Sequence, residues 1–356
     1  MTGPIAIVGG GIVGCLLARE LLAARADLRI VLLERDLVGL GASQRSAGVH
    51  FPFGRTERLR AMTRFSEQYY ADLGRRNPHL PLFPVDFVAA APGAAAVTAQ
   101  EWFTTAAAGD VPPSRRVGLS AWPPDAALWM MPGCHHADVG ALARSLATDL
   151  RQHITLLEGV DVTAVNERGD GVALELSTGE TLRAEKVVLA PGPWVNAAAW
   201  RHLTAPLGVR VKKIVALHLD RAVRPDAAAV FFPQDDAFIV PLKDRGHWLY
   251  SYTCTEWDLQ PDDIHGGLTE RNLADGRAIL ARYDETLASS LRSGRVFCDA
   301  YSPMREPLVT TVGELGHIVF AGAANGSGYR LAPAIAREVV QLLNLEHGRG
   351  VLQCAS

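Results

Sequence analysis

Three glycines, Gly9, Gly11 and Gly14, interrupt an apolar run that begins at Ile5, and an acid, Glu34, ends the next apolar run. That spacing can hold phosphate and sugar. Gly9 permits a tight turn, Gly11 lets backbone approach a pyrophosphate, and Gly14 lets the following helix pack close to the strand. Phosphate oxygens would meet the unpaired N–H groups of the first helical turn, at Ile12 and Val13, and the positive end of the helix dipole. No Lys or Arg stands between Met1 and Ala18, and none is required. Glu34, at the carboxyl end of a second strand, can accept hydrogen bonds from ribose hydroxyls. Strand, glycines, helix, strand and acid arrive in order within about 30 residues, the length of one βαβ unit. The ligand this predicts is a dinucleotide.

The positioning elements can be read from periodicity. Ile5–Val8 and Arg29–Glu34 read as buried strands, and Leu16, Leu17, Leu21 and Leu22 set one apolar helix face between them. Arg58 to Gly74 is an amphipathic helix, and the Pro-, Gly- and Ala-rich stretch from Pro81 to Pro132 reads as short strands, a helix near Thr98 to Ala108, and loops. A helix from Ala137 to Leu150, strands between Ile154 and Val165, a hairpin around Gly179 and a buried strand at Lys186–Ala190 follow. Val209–Leu219, Val230–Phe232, Phe238–Leu242 and His247–Tyr252 then suggest a separate, mainly antiparallel sheet, with a helix at Arg271 to Leu287. The tail repeats the opening device: strand Ile318–Ala321, small-residue turn Gly322–Gly328, helix Pro333–Leu343. Both ends of the chain thus converge on one ligand.

Composition narrows the rest. With 356 residues the chain can bury a large core and suggests two domains. A formal net charge of -3 argues against a nucleic-acid partner. Five scattered cysteines without CxxC spacing fit reduced thiols in a cytoplasm. Cys134-His135-His136 reads as a loop before a helix, because adjacent side chains point apart, and no metal cage is visible. Met1 to Ala24 carries glycines at its centre and Arg19-Glu20 in its helix, so it reads as a nucleotide fold and not as a signal peptide or membrane span.

Gly9–Gly14 with Glu34-Arg35, Gly41-Ala42-Ser43 leading to Ala47-Gly48, Ala190-Pro191-Gly192-Pro193-Trp194, and Gly322 to Pro333 together resemble the FAD-dependent amine and amino-acid oxidases. The resemblance covers the whole chain in order and is sharpest in these flavin segments. It implies an α/β fold with a discontinuous Rossmann-like FAD-binding domain (1–84, 133–206 and 300–356) and an inserted antiparallel-sheet, α+β substrate domain (85–132 and 207–299). Glu34 and Arg35 match the ribose acid and its neighbour, and Val162 matches the backbone that meets the adenine. Ser43, Arg45, Ser46, Ala47 and Gly48 match the loop under the pyrophosphate and ring edge, with Ala190, Gly192 and Trp194 in the discriminating segment. Gly326, Ser327, Gly328, Tyr329, Arg330 and Leu331 match the loop at the flavin's pyrimidine end. Arg330 stands where several relatives place a Lys, and a cation there would stabilise negative charge on the reduced ring.

The implied activity is hydride transfer from a C–H next to the nitrogen of a small amine or amino acid, followed by imine hydrolysis and reoxidation by oxygen or another acceptor. Two other readings fit the same residues: a flavin dehydrogenase or tailoring oxidase acting on a larger substrate, and a non-catalytic FAD-binding subunit. Trp248, Tyr250 and Tyr252 share one strand face by the period of two, either towards the substrate, with Tyr252 as the polar contact, or as core. His50, directly after the flavin loop, is either a base or donor facing the ring or a loop histidine satisfied elsewhere. Relatives hold a substrate carboxylate with a bidentate Arg before a Thr-Pro-Asp-like turn. Here Asp299 takes that place, and Arg305 offers the fork only if the register shifts. Strand His247–Thr253 lacks the lysine that promotes oxygen reaction in sarcosine-oxidase relatives. Cys298 lies within one residue of the place of covalent FAD attachment, but one residue reverses a strand's face, so non-covalent FAD is expected.

Overall fold

The computed structural model describes residues 3–92, 101–104, 107–108 and 126–345. Ile5–Val8 is central in a six-stranded sheet, pairing in parallel with Ile30–Glu34 on one side and Lys186–Leu189 on the other. Thr155–Glu158 and Ile318–Gly322 extend it in parallel, and antiparallel Leu308–Val312 closes one edge. Helices Ile12–Ala24 and Gly328–Leu342 lie together on one face, burying Leu16, Leu17 and Leu21 with Ile335 and Val339. The first and last glycine turns therefore open at the same end of this sheet.

The second layer is an eight-stranded, mostly antiparallel sheet in which Arg210–Leu219 pairs with Leu291–Tyr301 and His247–Tyr252. One parallel pair, Ala229–Phe232 with Phe87–Pro92, brings in the earlier segment of the chain. Along Arg210–Leu219 the alternation decides what faces the ligand: Arg210, Lys212, Ile214 and Ala216 line a cavity, whereas Val211, Val215 and Leu217 join hydrophobic clusters on the other side. The architecture is the discontinuous Rossmann-like fold with a separate antiparallel sheet that the sequence implies.

Four elements depart in detail. His135–Ala137, expected as loop before a helix, is a short strand paired with Val49–His50 and Leu82–Pro84. The helix expected over 271–287 is broken into Glu270–Ala281 and Glu285–Ser289, because Asp284 accepts from the Leu287 N–H and caps a new helix. The last helix starts at Gly328, before Pro333. A proline there leaves the Tyr329 carbonyl without its helical donor, and the Tyr70 hydroxyl donates to it instead at 2.7 Å. The helix expected near Thr98 to Ala108 is not borne out where residues are described: Phe103 bridges antiparallel to Phe53 and Ala107–Ala108 is a short strand, and the rest of the span lies outside the described residues. No helix among the described residues is long and apolar enough to cross a membrane.

Candidate functional site

A cavity of about 850 Å³ runs from Glu34, past the two glycine turns, to the face of the antiparallel sheet. At the sugar end the Glu34 carboxylate accepts from Gly10 N–H (2.8 Å) and Asp36 N–H (3.0 Å), which fixes it at the strand terminus. Gly9 has φ 110, and a Cβ there would meet the Ala190 carbonyl oxygen at 2.4 Å; one on Gly14 would sit 2.0 Å from the Gly9 carbonyl oxygen. These glycines are demanded by backbone contact. At Gly192 and Gly328, by contrast, a Cβ would enter open space in the cavity wall. The Ser43 hydroxyl accepts from Ile12 N–H at 3.0 Å and ties the second loop to the first helix.

The far loop is strained and braced. Ala323 and Asn325 have φ near 50–56 and Gly326 has φ 78, a conformation costly for residues with a side chain. Asp299 holds it, accepting from Gly326 N–H (2.9 Å) and from its own neighbour Ala300 N–H (2.8 Å). Burial raises the Asp299 carboxyl to about 6 despite these two donors. Arg330 is buried, donates to the Phe53 carbonyl and the Ser327 hydroxyl, and lies 4.9 Å from the Phe51 ring. Burial pushes its guanidinium down to about 10, so it remains charged at neutral pH.

Most expected residues line this cavity: Gly9, Gly11, Ile12, Val13, Glu34, Arg35, Ser43, Ser46, Ala47, Gly48, Val162, Ala190, Gly192, Trp194 and Gly326 to Arg330. Four do not. Gly14 lies behind the first turn, Leu331 is in the core under the last one, and Arg45 turns its side chain to the Val296 carbonyl at 3.3 Å. His50 is the fourth: it is buried behind the flavin loop, its ring stacked on His135 at 4.9 Å and set edgewise to Tyr70. Burial holds both imidazoles below the usual range, His135 at about 4, so both are neutral, and neither lines the cavity. His50 thus fits neither expectation fully: it does not line the cavity, and among the described residues neither of its ring nitrogens has a hydrogen-bond partner.

Tyr252 lines the cavity too, but its hydroxyl is engaged elsewhere. Its hydroxyl donates to the Asn272 carbonyl at 2.9 Å, and its ring packs over Gly276 with Trp248 and Tyr250 in the same cluster. The three aromatics do share a face, but it is the face towards the helices. Arg305 sits on the cavity rim, exposed, with φ 57. Cys298 packs in the hydrophobic cluster on the side of its strand opposite Asp299, and burial pushes its thiol up to about 12. It is in no position to reach the cavity.

The sequence reading missed Lys212. It pairs with Asp299 across the strands on the cavity face, and its ammonium lies 5.1 Å from the Trp257 ring and 5.0 Å from the Tyr301 ring. Among the described residues no carboxylate comes within ion-pair distance of it, and burial lowers its pKa. Three cations, Arg210, Lys212 and Lys213, among the first four residues of a largely buried strand were the available signal.

The sequence pattern of the family described as FAD dependent oxidoreductase matches residues 4–342. The chain belongs to that family. It is 27% identical over 287 residues to a glycine oxidase of Pseudomonas aeruginosa, covering 74% of this chain and 75% of that one. In fold it is similar to NikD, an amino acid oxidase essential for nikkomycin biosynthesis, with TM-score 0.75, 20% identity and 99% of each chain covered. It is similar also to glycine oxidase from Geobacillus kaustophilus, with TM-score 0.74, 20% identity, and 97% and 95% covered. The glycine contacts, the clamped Glu34 and the open space at Gly192 and Gly328 fit FAD, which supplies a two-electron acceptor when bound.

Proposed function

We propose that this chain oxidises the C–N bond of a small amino acid whose carboxylate binds Lys212. The amine loses a proton and its carbon a hydride, water hydrolyses the resulting imine, and oxygen or another acceptor takes the electrons. The names of the relatives, glycine oxidase and amino acid oxidase, support the reaction class. The observation that carries the carboxylate is Lys212: a buried ammonium, facing the cavity, with aromatic rings for neighbours, the charge of Asp236 acting on it from a distance, and no carboxylate within ion-pair distance among the described residues. An anion delivered there would gain a charge-assisted hydrogen bond to a largely buried ammonium. Arg305 on the rim adds a second positive charge near it.

Nothing in this chemistry demands a protein nucleophile. The chain's task is to orient the reacting C–H and exclude water, and Phe51, Phe53, Phe231 and Phe297 give the cavity apolar walls for that. Asp299 favours a second reading, an amine without a carboxylate, because it too lines the cavity. Its oxygens already serve two N–H groups, whereas Lys212 lacks an acceptor, and this supports the amino acid. We assign the cofactor half to 1–84, 133–206 and 300–356, and place the protein in the cytoplasm on its four buried, free thiols among the described residues. The test is anaerobic flavin bleaching by amino acids and by the amines that result from their decarboxylation. Bleaching by an amino acid at concentrations where its amine is inert supports the proposal; the reverse preference defeats it.

A further inference from the structure

Arg295 lies on the strand Leu291–Tyr301, directly opposite Ala216, which lines the cavity. Its guanidinium reaches off the sheet to the short helix Ala42–Arg45 and the residue after it. Nε donates to the Arg45 carbonyl at 2.9 Å and Nη2 to the Ser46 carbonyl at 3.3 Å. Nη1 meets His218 Nε2 at 3.0 Å. Arg45 returns the contact by donating to the Val296 carbonyl, so helix and strand exchange hydrogen bonds in both directions.

Two features set this arrangement apart from an ordinary surface arginine. All three acceptors are neutral, since a guanidinium always donates and His218 must present a bare nitrogen. No carboxylate among the described residues lies within ion-pair distance of Arg295. The nearest acid to influence it, Asp138, is engaged by Arg245 at 2.5 Å. Burial and the Arg245 charge push Arg295 down to about 10, so at neutral pH it keeps a positive charge that nothing neutralises at contact. Burial and the Arg295 charge hold His218 at about 4, which keeps its acceptor nitrogen free. Second, the carbonyls it grips belong to the turn whose next residues, Ala47 and Gly48, line the cavity, with Gly48 at φ 64 and no room for a Cβ. A small displacement of Ser46 would pass straight into that wall.

We propose that Arg295 is a positioning residue for the flavin, fixing the 42–48 turn through the Arg45 and Ser46 carbonyls and holding an uncompensated positive charge behind it, with His218 steadying the fork. The proposal rests on the assignment of that turn to the cofactor cradle. It links the substrate sheet mechanically to the cofactor, so that the two layers share one geometry. A fixed cation behind the turn that would border the bound flavin would favour its reduced, more negative form.

The test uses FAD-loaded protein and reads the flavin itself. Arg295→Met should retain FAD, shift its midpoint potential to a more negative value, and change its visible circular dichroism. Arg295→Lys, which keeps the charge but not the fork, should recover the potential and leave the dichroism altered. His218→Gln, which keeps an acceptor, should resemble the parent. A potential and a dichroism unchanged in Arg295→Met, whatever its thermal stability, would overturn the proposal. If that variant does not fold, unchanged dichroism in Arg295→Lys overturns it equally. Ala47→Trp, which would fill the cavity at that turn, separates the underlying assignment: it should lose FAD, and full FAD binding by that variant would sink the cradle reading and not the role of Arg295 alone.

Discussion

Replacing Lys212 by methionine removes an ammonium while leaving a chain of similar length between Trp257 and Tyr301. The folded protein should tolerate this. It loses two cation–ring contacts, each worth about 0.5–2 kcal/mol, and is relieved of the burial cost that lowers the Lys212 pKa. These terms oppose each other, and no carboxylate is orphaned, so thermal stability should move by a few degrees at most. Substrate loses more. A hydrogen bond between charged partners is worth about 2–3 kcal/mol, which at 1.4 kcal/mol per tenfold is about 30- to 140-fold in affinity. The assay is anaerobic stopped-flow reduction of the flavin across substrate concentration. The loss should fall on the half-saturating concentration, with a smaller change in the limiting rate, because a carboxylate anchor binds ground state and transition state alike. An amino acid and its decarboxylated amine must be compared. If Lys212→Met weakens both equally, or neither, the carboxylate does not sit on Lys212 and the reasoning fails.

Three other outcomes follow from the same geometry. At the nucleotide end Asp262 accepts from the Trp194 indole at 2.9 Å and from Arg35 at 2.7 Å, and Arg35 stacks over Trp194 at 4.3 Å. The pair is exposed and worth at most about 1 kcal/mol, so Asp262→Ala should speed FAD release up to about fivefold, measured by fluorescence, with little change in melting temperature. Gly14→Ala would place a Cβ 2.0 Å from a backbone oxygen, an overpacking of about 1–3 kcal/mol or more, and should weaken FAD retention on gel filtration. Asp299 is raised from 3.8 to about 6 by burial, so between those values the unfolded chain is ionised while the folded one still holds its proton. Stability from this group is therefore lost as pH rises from about 4 to 6, on the order of 1–3 kcal/mol. Urea titrations should show that fall in the parent and a flatter profile in Asp299→Asn.

How much of this was legible depended on the range of the interactions. The glycine turns, Glu34 and the last loop are recognisable because each is demanded by backbone geometry within one βαβ unit, and all of them reach the cavity. The aromatic strand shows the limit of local pattern. A period of two says that Trp248, Tyr250 and Tyr252 share a face, but only the helix beneath, through Asn272 and Gly276, determines that this is the buried one. Lys212 was invisible for the same reason: its importance comes from Asp299 across the ladder and from Trp257 and Tyr301, which are far from it in sequence. Likewise Pro333 marks a helix start by local rules, yet Tyr70 supplies the missing donor and lets the helix begin five residues earlier.

The most direct measurement is a crystal structure of the FAD-loaded protein with an amino acid, or an unreactive carboxylate analogue of one, in the cavity. FAD should lie along the Glu34-to-Arg330 cradle and the carboxylate within hydrogen-bond distance of Lys212 Nζ. A carboxylate held by Arg305, with Lys212 still lodged between Trp257 and Tyr301, would contradict it.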